Sequence, residues 1–129
     1  MIKYKQWRIG NFTSHDVNIY KVEDVIEDKE RRKLIVKDGR EPYLHIPKDG
    51  MLMAYLGEDS PSVNDVLFSG MKNFVSVDPL PDNFDFYIVS FQYLSACREL
   101  GMDTSKLSVV NGSVYAKLKQ VGCLSLSIS

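Results

Sequence analysis

The chain is poor in the residues that staple, metallate or anchor a protein. It has two cysteines, Cys97 and Cys123, too few for a disulfide framework and not in a Cys-x-x-Cys pair. Cys97 falls in a helical segment and Cys123 in a strand, so both are expected to be small buried apolar residues. Reduced thiols fit a cytoplasmic setting. The two histidines, His15 and His45, are far apart in sequence, and no His-x-x-x-His spacing occurs, so no metal site and no cofactor are expected. No apolar run approaches the roughly 20 residues a membrane helix needs. The opening Met1-Ile-Lys-Tyr-Lys-Gln-Trp-Arg8 lacks a signal-like stretch. Secretion and membrane contact are therefore not expected. There is no excess of positive charge either: 16 Lys and Arg stand against 17 Asp and Glu, which removes the electrostatic case for nucleic acid.

What is present is ordinary globular material. A chain of 129 residues with 44% hydrophobic and 26% charged content suits one domain, 1–129, with a real core. The charge is uneven. Residues 1–50 carry 11 Lys and Arg against 9 Asp and Glu, whereas residues 51–129 carry 5 against 8. The densest stretch, Lys21 to Glu41, has 14 charged residues among 21 and reads as a charged insertion.

Periodicity favours strands. Ile2 to Arg8 reads as one strand, broken at Gly10-Asn11, and His15 to Tyr20 alternates as a second. Glu23 to Lys33 reads as an exposed helix with Glu27 facing Arg31 and Asp28 facing Arg32. Leu34 to Val36, Tyr43 to Ile46 and Met51 to Leu56 are short strands. Gly57 to Asn64 reads as loop, and Asp65 to Val77 as β-type residues around a turn or bulge at Ser69-Gly70. Asp78-Pro-Leu-Pro-Asp82 is a stiff connector. Phe84 to Val89 is nearly all apolar, the pattern of a central strand covered on both faces. Ser90 caps a helix with Phe91, Leu94 and Cys97 on its inner side, ended by Gly101. Leu107 to Leu118 reads as a hairpin turning at Asn111-Gly112, with a second turn near Lys119-Gln120 before Val121 to Ile128. The expected fold class is α+β, mainly antiparallel, with eight or nine short strands and one firm helix near residues 91–100.

Several short segments carry a family resemblance: Asn11-Phe-Thr-Ser-His-Asp-Val-Asn-Ile-Tyr20, Ile46-Pro-Lys-Asp-Gly50, Leu80-Pro81, Tyr87-Ile-Val-Ser90 and Val121-Gly-Cys-Leu-Ser125. Together they resemble a family of small uncharacterised proteins from tailed phages and bacterial genomes. Those chains open with an Asn-Leu-Thr-Pro-His segment and carry Ile-Pro-Pro-Ser-Gly further on. Here Ser14 replaces the proline, Lys48-Asp49 replaces Pro-Ser, and the Lys21 to Glu41 stretch is longer. The resemblance covers most of the chain and implies a fold and a phage-like context, with no established activity.

Five residues stand out as candidate ligand contacts. Thr13 and His15 share a face if their strand starts early, and His15 suits a phosphate or a base edge; the alternative is a structural histidine bonded to nearby backbone. Ser90 opens a helix whose N-terminus favours anions, or is a simple cap. Arg98, with Lys72, is one of two cations between Leu56 and Asp103 and suits bidentate phosphate binding, or is an exposed partner of Glu99. Asn111 completes the set. The many aromatics are mostly expected in the core, with one or two available for stacking. No catalytic set can be placed from sequence.

These features lead to a phage-type accessory protein that binds, or sequesters, a small nucleotide-derived ligand of host defence without catalysis. Two main alternatives stay open beside a virion structural component. One is an interaction module that inhibits a host protein through the charged insertion. The other is a small nucleotide hydrolase with His15 as general base. A homo-oligomer in the host cytoplasm is expected under each, because small sheets leave edges to pair.

Overall fold

The computed structural model describes residues 1–58, 72–116 and 119–128. Among them are eleven strands and one α-helix. β1 (Ile2–Tyr4) and β2 (Trp7–Asn11) form a tight hairpin, followed by β3 (Val17–Ile19). β4 (Val25–Asp28) and β5 (Lys33–Val36) make a second hairpin, and β6 (Leu44–Ile46) follows. β7 (Ala54–Glu58) and β8 (Lys72–Val77) pair as a separate two-stranded ribbon. β9 (Phe86–Ile88), α1 (Phe91–Glu99), β10 (Leu107–Ala116) and β11 (Lys119–Ile128) complete the chain.

The large sheet runs β1-β2-β9-β10-β11-β3-β6. β10 has one edge along β11. Its other edge is shared, with β9 alongside its start and β5 alongside its end. The two outer strands, β1 and β6, border one cleft, lined by Tyr4 on one side and by Tyr43, Leu44 and Ile46 on the other, so the sheet curls nearly into a barrel.

Strand alternation divides the core between two clusters. Tyr87 and Val89 join Phe12, Leu52, Tyr93, Leu94, Cys97 and Leu107 beneath α1. Ile88, between them in sequence, joins Ile9, Val17, Ile46 and Cys123 on the opposite face. The expectation of a central strand covered on both faces therefore holds for β9, which lies between β2 and β10. Ser90 Oγ accepts a hydrogen bond from Tyr93 N at 3.1 Å, and both cysteines are buried, as the sequence suggested. α1 ends in a Schellman motif: Gly101 at φ 74° donates to the Arg98 carbonyl and Met102 to that of Cys97.

The class is α+β with one helix, but the sheet is mixed rather than mainly antiparallel. Four of its strand pairings are antiparallel and four are parallel. The reason lies in strand–helix–strand order: β9 reaches β10 across α1, and a helical crossover joins parallel neighbours. The charged stretch forms no helix over 23–33. Val25 and Ile26 pair with Val36 and Ile35, Asp28 Oδ1 accepts from the Glu30 and Arg31 amides at the turn, and Leu34 and Ile35 pair with Val114 and Tyr115 of β10. Exposed helical charge pairs are worth only about 0.2–0.5 kcal/mol each. Sheet pairing of β-branched residues outweighs them.

Other local expectations also shift. Ile2 to Arg8 is a hairpin rather than one strand, with Lys5 at φ 55°, and β2 runs through Gly10-Asn11 instead of breaking there. Asn111-Gly112 makes no turn: β10 passes through it, with Asn111 opposite Ser125 and Gly112 at φ 74°. The ladder with β11 continues to Ala116, which pairs with Lys119. β7 continues through Gly57 to Glu58, and the turn expected at Ser69-Gly70 lies outside the described residues. No helix among the described residues is long and apolar enough to cross a membrane.

Candidate functional site

The segment between β2 and β3 is built around Asn11. Its side chain is fully buried, and all its hydrogen-bonding capacity is used. Nδ2 donates to the carbonyls of His15 at 2.9 Å and Ile46 at 3.0 Å. Oδ1 accepts from Thr13 N at 3.1 Å and Thr13 Oγ1 at 2.7 Å. Thr13 Oγ1 also lies 2.8 Å from the His15 carbonyl. This network pins the loop to β6 and holds His15 out toward solvent. Among the described residues no side chain bonds the His15 ring.

That loop forms one wall of a cleft of about 940 Å³. The second wall is the end of β9 and the start of α1, at Val89, Ser90 and Phe91; the third is formed by Val109 and Val110 of β10 with Lys119 to Cys123 of β11. Buried Val17, Val89 and Cys123 provide an apolar floor, and the rim carries Thr13, His15, Asp16, Asn18, Lys119 and Gln120. Burial pushes the Cys123 thiol up from its ordinary value, so the floor stays neutral and unreactive. Gly122 lets β11 approach β3 closely, because a methyl there would meet the Asn18 carbonyl and the Tyr20 ring.

The cleft gathers three of the five sequence candidates: Thr13, His15 and Ser90. Thr13 is largely committed to the Asn11 network, and Ser90 to capping Tyr93. Arg98 is exposed in the last turn of α1, and Asn111 is exposed on β10; neither lines the cleft. The inner side of α1 is Tyr93, Leu94, Ala96 and Cys97, whereas Phe91, expected to face inward, is 68% exposed at the mouth of the cleft. Core packing sets this phase: Tyr93, Leu94 and Cys97 join the cluster beneath α1, which turns Phe91 to the solvent side.

Sequence reasoning passed over His45. It lies opposite Asn18 in the β3–β6 pairing, with Nδ1 2.6 Å from Asn18 Oδ1 and Nε2 3.6 Å from Asp16 Oδ2. Asn18 Nδ2 donates to the Val121 carbonyl at 3.1 Å, which leaves Asn18 Oδ1 to accept from His45. His45 thus orients two rim residues without lining the cleft. Only the pairing of distant strands could have linked them.

Among the described residues no group of three His, Cys, Asp or Glu side chains is placed to hold a metal ion. The cleft suits a ligand with a flat apolar part on the valine floor or the Phe91 ring, and polar groups at the rim. No family model matches the chain, and neither does any curated protein or solved structure.

Proposed function

We propose that this protein binds a small nucleotide-derived ligand in the cleft between the Thr13–His15 loop and the start of α1, and holds it without turnover. The observation that carries this reading is the composition of the cleft: an apolar floor with an exposed aromatic ring, Phe91, and an unpaired imidazole, His15, at the same mouth. Aromatic stacking is worth roughly 1–3 kcal/mol per base and tolerates any base. The volume, about 940 Å³, lies at the upper end of the range for small-molecule sites. Among the described residues no carboxylate orients the His15 ring, which favours contact over general-base chemistry. A phage accessory role, with sequestration of a host-defence signal by a homo-oligomer in the host cytoplasm, extends the same reading.

Native mass spectrometry of protein purified undenatured from cells tests it. A nucleotide-sized mass bound to the wild type and lost in Phe91→Ala and His15→Ala is the expected result. Protein that stays empty across a nucleotide library refutes it, and hydrolysed product points to an enzyme.

A second reading, an interaction module for a host protein, draws on the β7–β8 ribbon. Met53, Tyr55, Leu56 and Val75 leave large apolar surfaces exposed there. The charged hairpin is a poorer candidate than its composition suggested, because β5 is part of the sheet.

A further inference from the structure

His45 contacts two rim residues of the His15–Phe91 cleft without lining it, and those contacts fix where its labile proton sits. Asn18 lies opposite it in the β3–β6 pairing. One end of the Asn18 amide meets the Val121 carbonyl at 3.1 Å, and the other meets His45 Nδ1 at 2.6 Å. A carbonyl only accepts, so the NH2 group faces Val121 and Oδ1 faces His45. Nδ1 therefore carries a hydrogen in either charge state. In the neutral ring Nε2 is then left with a lone pair. Nε2 lies 3.6 Å from Asp16 Oδ2. A lone pair and a carboxylate repel each other there, whereas a proton on Nε2 turns the same contact into an ion pair.

Asp16 and Asn18 both line the cleft. The other Asp16 oxygen, Oδ1, accepts from the Lys48 amide at 2.8 Å, so the carboxylate is already anchored toward the β6 side. Among the described strands β6 pairs with β3 alone. The groups facing His45 from that side are Asp16 and the Asn18 amide, with His15 next to Asp16 in the loop. Lys48 follows on its own segment, and Lys21 sits over the Tyr43 ring beside Glu23. We propose that His45 is a proton-operated positioning residue for the cleft. When neutral it repels Oδ2 and leaves the charge of Asp16 uncompensated at the mouth. When protonated at Nε2 it holds Oδ2 and cancels that charge. Histidine makes this change between about pH 5 and 8. An anionic ligand group therefore meets less repulsion at the acid end of that range. The inference rests on the reading of this cleft as a ligand site and concerns its regulation.

NMR of the native full chain, labelled with carbon-13 and nitrogen-15 and free of ligand, tests this. At the alkaline end the imidazole spectrum of His45 should show Nδ1 protonated and Nε2 bare, the reverse of the tautomer that a free histidine favours. Asn18→Ala should restore the free preference. As pH falls, Nε2 should gain the proton, and the Asp16 carboxyl carbon and the Lys48 amide should shift together with it. His15 is a second histidine next to Asp16, so two variants separate them: His15→Gln should keep the coupled shift and His45→Gln should lose it. Added salt should weaken the coupling, because both His45 and Asp16 are exposed. The proposal is overturned if neutral His45 carries its hydrogen on Nε2, if the Asp16 and Lys48 signals ignore its protonation, or if their shift survives His45→Gln. The spectra need no ligand, so the two readings fail separately. A coupled shift in a protein that stays empty across a nucleotide library supports the switch and refutes the nucleotide site.

Discussion

Among the described residues, Asn11 should be the most costly polar side chain to remove. Asn11→Ala deletes two donated and two accepted hydrogen bonds at a position with no solvent exposure. The bond to the Ile46 carbonyl is itself buried, and an orphaned buried acceptor costs about 1–3 kcal/mol. The bonds involving His15 and Thr13 are partly exposed, so water can replace them at a cost nearer about 0.5 kcal/mol each. The sum is about 3 kcal/mol, a large share of the roughly 5–15 kcal/mol that holds a domain together. For a chain of 129 residues this lowers Tm by about 10–15 °C. Thr13→Val removes only the hydroxyl and should cost about 1 kcal/mol. Urea unfolding measured by circular dichroism separates the two, with the slope m as a check that the unfolded state is unchanged. Asn11→Ala within about 1 kcal/mol of wild type, or Thr13→Val equally damaging, would refute the account of the loop as a network centred on Asn11.

Gly122→Ala forces a methyl against the Asn18 carbonyl and to within 2.6 Å of the Tyr20 ring, so it should cost at least about 2 kcal/mol in urea unfolding and disturb the β3–β11 pairing. Cys97 and Cys123 are buried and their thiols are pushed up by that burial, so Ellman's reagent should label neither in the native protein and both in denaturant. Asp85 is held below its ordinary value of 3.8, chiefly by the Arg8 amide, which donates to Oδ2 at 2.7 Å, and Asp103 is likewise held down by the Ser105 amide. Their stabilisation is fully present above 3.8 and disappears as pH falls from there through the depressed values; Asp85→Asn should therefore lower stability modestly at neutral pH, converge with wild type in acid, and so flatten the acid limb of a pH–stability curve.

The parts of the fold legible in the sequence are those fixed by neighbours in the chain. Ser90 and Gly101 bracket α1 because a cap and a left-handed stop act within one turn. The apolar run from Phe84 to Val89 signals a strand covered on both sides, because both faces must be buried wherever it pairs. What the sequence hid depends on distant partners. The stretch from Glu23 to Lys33 has helical charge spacing, yet it folds as a hairpin because Leu34 and Ile35 find Val114 and Tyr115. Asn111-Gly112 carries a strong turn signal, yet Ser125 and Cys123 on β11 hold Asn111 and Ser113 in the ladder. His45 gains its setting only because β6 lands beside β3. Phe91 belongs with these: the spacing with Leu94 and Cys97 suggests an inner position, and only the packing of Tyr93, Leu94, Ala96 and Cys97 onto the core leaves its ring outside.

The Asn11–His15 segment shows why a polar motif is ambiguous before its folding is known. Thr13, His15 and the unremarked Asn11 have similar chemistry in sequence, but the fold assigns them different tasks. Asn11 and Thr13 spend their polar atoms on each other and on backbone carbonyls, so they build the wall of the cleft. The imidazole of His15 is left over, on the same cleft as the Phe91 ring, which the core of α1 does not use. A group already satisfied within the fold contributes little new binding, because a ligand would only replace one good hydrogen bond with another. Binding should therefore depend on His15 and Phe91 directly, and on Asn11 and Thr13 only through the position of the loop. His15→Ala and Phe91→Ala then weaken ligand binding with stability within about 0.5 kcal/mol of wild type, whereas Asn11→Ala loses both together. Equal loss of stability in all three variants would mean that the cleft is simply part of the core, and that its function lies elsewhere on the surface.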